Sequence, residues 1–200
     1  MRVRRMEVDG ALEFTPVVHH DDRGLFVSPF QETAFARAQG GPLFPVAQAS
    51  HSRSRRGVVR GVHFTSPPAS VAKYVSCPQG EVLDIVVDVR EGSPTFGYWE
   101  AVRLDQHTSR ALYLPPGVGH AFVALRDDTV VSYLLSAEYV AEHERAISVW
   151  DPQLGLPIPT DTEPVLSARD RAAPTLAEAR AAGILPRYTP GTTPSGGRRT

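Results

Sequence analysis

Four side chains near the middle of the sequence have the types and spacing that proton chemistry needs. In Arg60-Gly61-Val62-His63-Phe64 a histidine lies in an apolar run, three residues after an arginine. Arg55, Arg56 and Arg60 concentrate positive charge just ahead of it, which suits an anionic ligand such as a diphosphate. Ten residues on, Val71-Ala72-Lys73-Tyr74-Val75 holds the only lysine among 21 cationic side chains. Biased codon use explains most of the arginine excess, so the one lysine that remains calls for a reason. A lysine within a strand is costly to bury unless it is paired or meets developing negative charge. His120 follows a Pro-Pro-Gly turn, where it could meet a phosphate, and Tyr133 lies in Val130-Val131-Ser132-Tyr133-Leu134-Leu135.

Each of these has a plainer reading beside the chemical one. His63 could be a satisfied structural histidine, His120 a half-exposed turn residue, and Tyr133 a core ring with its hydroxyl bonded. Arg23, after Asp21-Asp22, reads as a turn cation. The residues alone leave both readings open. Strand periodicity adds a constraint, because a period of two puts Arg60 and His63 on opposite faces. Both can line one pocket only if Gly61 marks a bulge or twist.

The elements that must position these groups read as short strands. Val58–Phe64, Ala72–Cys77, Glu81–Arg90, Gly97–Leu104, Ala111–Leu114, Ala121–Leu125 and Thr129–Leu135 are rich in β-branched and aromatic residues and punctuated by Gly, Pro or Asp. With no long helix between them, the pattern predicts an all-β antiparallel sandwich or jelly roll. In Glu81–Arg90, Leu83, Ile85, Val87 and Val89 form a core face, while Asp84, Asp88 and Arg90 lie on the other, solvated or lining a cavity. Short helices are expected at Gln31–Gln39 and Leu176–Ala182, the second started by the capping box Thr175-x-x-Glu178 and stopped by Gly183. Residues 1–188 read as a single domain and 189–200 as a flexible tail.

Composition removes several function classes. The 21 cations and 22 anions leave a net charge of −1, giving no electrostatic basis for binding nucleic acid or an acidic membrane. One cysteine, Cys77, excludes an internal disulfide and a cysteine-based zinc site. The seven histidines contain no His-x-His pair, so no metal is expected. No apolar run has the length of a membrane span and no signal peptide is visible, so a soluble cytoplasmic protein is expected.

Taken together these stretches resemble the dTDP-4-dehydrorhamnose 3,5-epimerase family and its relatives in antibiotic deoxysugar pathways. The resemblance covers residues 8 to 188. Its carriers are Asp22-Arg23-Gly24-Leu25-Phe26, Arg60-Gly61-Val62-His63-Phe64, Ala72-Lys73-Tyr74, Arg90-Glu91-Gly92-Ser93-Pro94-Thr95-Phe96-Gly97, Gly119-His120-Ala121-Phe122, Tyr133 and Ser167-Ala168-Arg169-Asp170. It implies a cupin jelly roll with short C-terminal helices, a homodimer with exchanged N-terminal strands, no cofactor and no metal. The implied substrate is a dTDP-linked 4-keto-6-deoxy sugar, inverted next to its ketone through an enolate.

The family resemblance also implies roles. His63 is the base, and such a base typically contributes ~10²–10⁴ in rate. Asp170 orients it. Lys73 meets the enolate oxygen, a kind of contact worth about 3–4 kcal/mol. Tyr133 returns a proton from the opposite face. Arg23, Gln48, Ser50, Arg60, His120, Glu144 and Arg169 hold nucleotide, diphosphate or sugar, and Phe26 stacks on the thymine. The chain departs from the family pattern at Ser28 (commonly Glu), Ser50 (commonly Asn) and Thr65 (commonly Gln). These are ligand positions, and they point to a sugar with fewer hydroxyls, such as a 2,6-dideoxy or 3-amino sugar. The wording of the chain looks most like the 5-epimerases. A C3 epimerase, a dTDP-sugar 3,4-ketoisomerase, a non-catalytic sugar-nucleotide binding module and a metal-dependent oxygenase stand as alternatives.

Overall fold

Residues 1–66, 70–161 and 163–190 are described by a computed structural model. The N-terminal part gives β1 (Arg2–Arg5), β2 (Leu12–Thr15), β3 (Val18–Asp21), β4 (Gly24–Val27), helix α1 (Glu32–Gln39) and β5 (Gln48–Ser54). The middle gives β6 (Val59–Thr65), β7 (Lys73–Gln79), β8 (Glu81–Val87), β9 (Trp99–Asp105), β10 (Ala111–Leu114), β11 (Gly119–Ala124) and β12 (Thr129–Leu135). A short β13 (Glu144–Ala146) and helices α2 (Ala168–Arg171) and α3 (Leu176–Ala181) follow. One sheet runs β1-β2-β10-β7-β12-β5, a second β13-β6-β11-β8-β9, and β3-β4 form a separate ribbon. The two large sheets face one another as a jelly roll.

Side-chain parity explains the layering. Val75 and Cys77 of β7, Leu112 and Leu114 of β10 and Val131 of β12 meet Val82 and Val86 of β8, Leu104 of β9 and Phe122 of β11 between the sheets. The alternate residues of the five-stranded sheet, among them Val62, Phe64, Ile85 and Val87, pack outward under Leu154, Leu176 and Leu185. Outside the other sheet, α1 docks through Phe35, whose ring lies 5.7 Å from Phe14 and 5.1 Å from Tyr113. Removing that ring would cost about 3–5 kcal/mol. Gly40 ends α1 in the left-handed conformation (φ 87°), where a side chain would be strained.

All seven expected strands are present, with ends shifted by a few residues except Ala111–Leu114 and Thr129–Leu135, which match. The capping box at Thr175 and Glu178 is formed. β1 to β5 and β13 were not expected from the sequence pattern. Of the two readings for the second face of β8, burial removes the solvated one, since Asp84 and Asp88 are fully buried. Asp88 and Arg90 lie past the strand's end, where Asp88 binds Arg90, Ser93 and Thr95. Of the expected C-terminal tail, residues 191–200 lie outside the described residues, as does the Pro67-Pro68 turn.

Candidate functional site

β6 carries the bulge that its sequence demanded. His63 pairs with His120 and Arg60 with Phe122, so Gly61 and Val62 together oppose the single residue Ala121. Val59, Val62 and Phe64 then point outward, which leaves Arg60, His63 and Thr65 directed between the sheets. Only glycine fits at position 61. Its φ is 121°, and a Cβ there would lie 2.5 Å from both the Ala121 side chain and the His120 carbonyl.

α2 supplies the partner of His63. The Ser167 hydroxyl caps this helix by accepting the Asp170 N–H at 3.1 Å. That fixes the Asp170 carboxylate 2.7 Å from His63 Nε2. Burial alone would raise the Asp170 carboxyl, but hydrogen bonds from His63 and Ser167 and the charges of His63 and Arg169 hold it below the usual range. Arg169 Nη2 also lies 2.9 Å from the same ring nitrogen. A guanidinium only donates, so Nε2 cannot serve both partners at once. Asp170 is 3% exposed and Arg169 48%, so the carboxylate is the fixed partner. It keeps the proton on Nε2 and the lone pair on Nδ1.

Lys73 opens β7 with the inward parity of Val75 and Cys77. Among the described residues its side chain has one hydrogen-bond contact, a long one, from Nζ to the His63 carbonyl at 3.5 Å. Burial pushes its ammonium down, partly offset by the charges of Glu144 and Asp84. Leu135 pairs with both Lys73 and Gln48, and Tyr133 pairs with Ser50 and Val75. This places β5, β12 and β7 side by side behind the site. Burial drives the Tyr133 phenol well above its ordinary value, while Ser52 and Arg60 act the other way. The phenol therefore stays protonated, as an acid must.

His120 is not the half-exposed turn residue of the plainer reading. It is buried inside the barrel, with Nε2 2.8 and 3.0 Å from the two oxygens of Asp84. Its ring stands edge-on to Tyr133 at 5.9 Å. Asp84 is the group that sequence reasoning missed. The available signal was its parity with Val82 and Val86, which put it inside.

Of the other ligand positions, Gln48 donates to Ser50 (2.8 Å) and accepts from the Tyr139 N–H (2.8 Å). Arg60 reaches Ser54 at 3.3 Å. Glu144 pairs with Thr65 at the end of β6, and the Thr65 hydroxyl accepts the Val71 N–H. Arg23 and Phe26 are not brought to this cluster. They sit on the β3–β4 ribbon, where Arg23 is 90% exposed and paired with Asp21 and Phe26 is 70% exposed. A separate cavity of about 540 Å³ holds none of these side chains, and two of the charged groups that line it, Asp9 and Arg90, are already bound to Tyr188 and Asp88.

The assembled groups can remove a proton at His63, oppose a negative oxygen with Lys73 and deliver a proton from Tyr133. Among the described residues no cluster of three or more His, Cys, Asp or Glu side chains could hold a metal ion, and no helix is long and apolar enough to cross a membrane.

Known proteins resemble the chain in sequence and in fold. The profile of the family described as dTDP-4-dehydrorhamnose 3,5-epimerase matches residues 5–178. An enzyme of that name from Mycolicibacterium smegmatis is 48% identical over 94% of this chain and 92% of its own. The crystal structure of a 4-keto-6-deoxy sugar epimerase from the novobiocin gene cluster of Streptomyces spheroides superposes with a TM-score of 0.90 at 47% identity, covering 94% of both chains. A 3′-monoepimerase from Streptomyces bikiniensis, solved with dTDP-quinovose, does so with a TM-score of 0.87 at 46% identity over 92% of both. The chain belongs to the dTDP-4-dehydrorhamnose 3,5-epimerase family of carbohydrate isomerases.

Proposed function

We propose that this enzyme inverts C5, or C3 and C5, of a dTDP-linked 4-keto-6-deoxyhexose by proton abstraction and reprotonation through an enolate. The observation that carries the reading is the joint placement of His63, Lys73 and Tyr133 within one end of the barrel. A hydrogen α to a ketone is acidic only because the resulting charge spreads to oxygen. His63 Nδ1 takes that hydrogen while Asp170 stabilises the imidazolium. The Lys73 ammonium meets the enolate oxygen. Tyr133 protonates the carbon from the other face, and its phenolate and the imidazolium then return to their starting states by exchange with water.

Arg60, Gln48, Ser50, Glu144 and Arg169 ring this position and hold the sugar nucleotide, with His120 at its floor. Arg23 and Phe26 enter the site of a second copy, carried by the exposed ribbon, so the working unit is a homodimer in the cytoplasm. Leu25 and Val17 are exposed on or beside the same ribbon, which supports a partner there. The Ser50 and Thr65 hydroxyls accept from Gln48 and from the Val71 amide, which leaves each less to offer a ligand. This supports a substrate with fewer hydroxyls than that of rhamnose synthesis.

Inversion at C3 alone is the competing reading, favoured by the likeness to the Streptomyces bikiniensis 3′-monoepimerase. Turnover of dTDP-4-keto-6-deoxyglucose in heavy water decides between them. Deuterium at C5 of the product supports the main reading, and deuterium confined to C3 overturns it. Exchange that persists in purified His63→Ala would remove His63 as the base.

A further inference from the structure

The barrel interior holds a polar group that the mechanism above leaves unused. β5 turns Gln48, Ser50, Ser52 and Ser54 inward in alternation. Gln48 and Ser50 bind each other, and Ser54 accepts from Arg60. Ser52 differs from its neighbours. Its Oγ is shielded from solvent and makes no hydrogen bond of full geometry among the described residues, though it lies near enough to the Tyr133 phenol to lower it. Buried polar groups are nearly always bonded, so one that is not needs an explanation.

Register supplies it. Tyr133 lies opposite Ser50 and Val131 opposite Ser52, which makes Ser52 the diagonal inward neighbour of Tyr133. That separation is within reach of an aromatic side chain. In the reaction proposed above, on which this inference rests, the Tyr133 O–H bond breaks. Its proton forms the new C–H bond, the enolate closes to the ketone, and the electron pair remains on the phenol oxygen. Asp84 from β8 and Cys77 from β7 oppose that anion, and Arg60 from β6 favours it. The His120 ring edge from β11 closes another side. On the β5 side stands the Ser52 hydroxyl, which also favours the anion.

We propose that Ser52 is a positioning residue for Tyr133, its hydroxyl donating to the phenol oxygen as the proton leaves. The bond is strongest when the charge has formed, so it favours the transition state over the bound substrate.

The test separates proton removal from proton delivery. In Ser52→Ala, kcat should fall about 10- to 100-fold while KM stays within about threefold. His63 still forms the enolate, which then collapses back with a solvent-derived deuteron from His63 on the starting face. In heavy water the recovered substrate should therefore gain deuterium several-fold faster, relative to inversion, than with the unmodified enzyme. Ser52→Cys, similar in size with a weak donor, should show the same split and serves if the alanine variant folds poorly. Unchanged kcat in both variants, or exchange and inversion falling together, overturns the proposal. Tyr133→Phe runs beside them. Normal inversion by that variant removes the acid and this inference together, whereas its inactivity beside a normal Ser52→Ala removes the Ser52 role alone.

Discussion

His63 and His120 stand directly opposite each other on β6 and β11, and each holds an aspartate at its Nε2, Asp170 at 2.7 Å and Asp84 at 2.8 Å. The two pairs share a geometry and differ in surroundings. His63 is 24% exposed at the barrel's open end, and His120 is 5% exposed inside. A pair that reaches solvent can exchange protons with it. A pair sealed in the interior holds the floor of the site in place.

Removing one member of the sealed pair should be felt in stability first. Asp84→Ala leaves His120 buried without its partner and should destabilise the fold by about 3–5 kcal/mol. Urea unfolding followed by circular dichroism measures this, and a change below 1 kcal/mol would contradict the pairing.

The solvent-facing pair should behave differently. Asp170→Asn removes the acceptor that fixes the His63 tautomer, so turnover should drop about 100-fold or more. Because folding lowers the Asp170 carboxyl, the ionised group stabilises the fold above its unfolded value of 3.8 and loses that effect as pH falls through the lowered value. The stability gap between the two proteins, about 1–2 kcal/mol at neutral pH, should accordingly close below that range. Unfolding measured at pH 7 and pH 3 checks the sign.

Lys73→Arg should fold normally and lose about 100-fold in turnover, since a guanidinium fork cannot place a compact charge at the same oxygen. Burial lowers the Lys73 ammonium from 10.5, so kcat/KM should fall on the alkaline side before that value is reached. The residual activity of the arginine variant should lack this fall. Near-normal turnover of the variant would return Lys73 to a compositional accident.

Gly61→Ala tests the bulge. The added methyl meets the Ala121 side chain and the His120 carbonyl at 2.5 Å, on a backbone at φ 121°. A loss of about 3–5 kcal/mol is expected, which lowers Tm by about 10 °C for a chain of this size. A melting curve decides it.

What the sequence disclosed depended on which way the apolar residues face. β12 could be delimited because its β-branched and aromatic residues follow Asp127-Asp128, and β10 because its apolar run stops at Pro115-Pro116-Gly117. β5 could not, because Gln48, Ser50, Ser52 and Ser54 reverse the usual pattern by pointing inward into the site. β3 and β4 pair only with each other and carry no amphipathic signature. The inward turn of both Arg60 and His63 could be stated as a requirement on Gly61, since periodicity forbade it otherwise. Nothing local told that His120 would sit against Asp84, thirty-six residues away in sequence. That contact depends on β8 and β11 lying side by side.

The ribbon of β3 and β4 lies outside the barrel with Arg23 and Phe26 turned to solvent, and linkage gives that position a consequence. If, as proposed, these two side chains serve a nucleotide in a second chain's barrel, the free energy they give is shared between two equilibria. The factor by which assembly tightens nucleotide binding must equal the factor by which nucleotide tightens assembly. Occupancy of the site and the subunit equilibrium would then shift together with protein concentration.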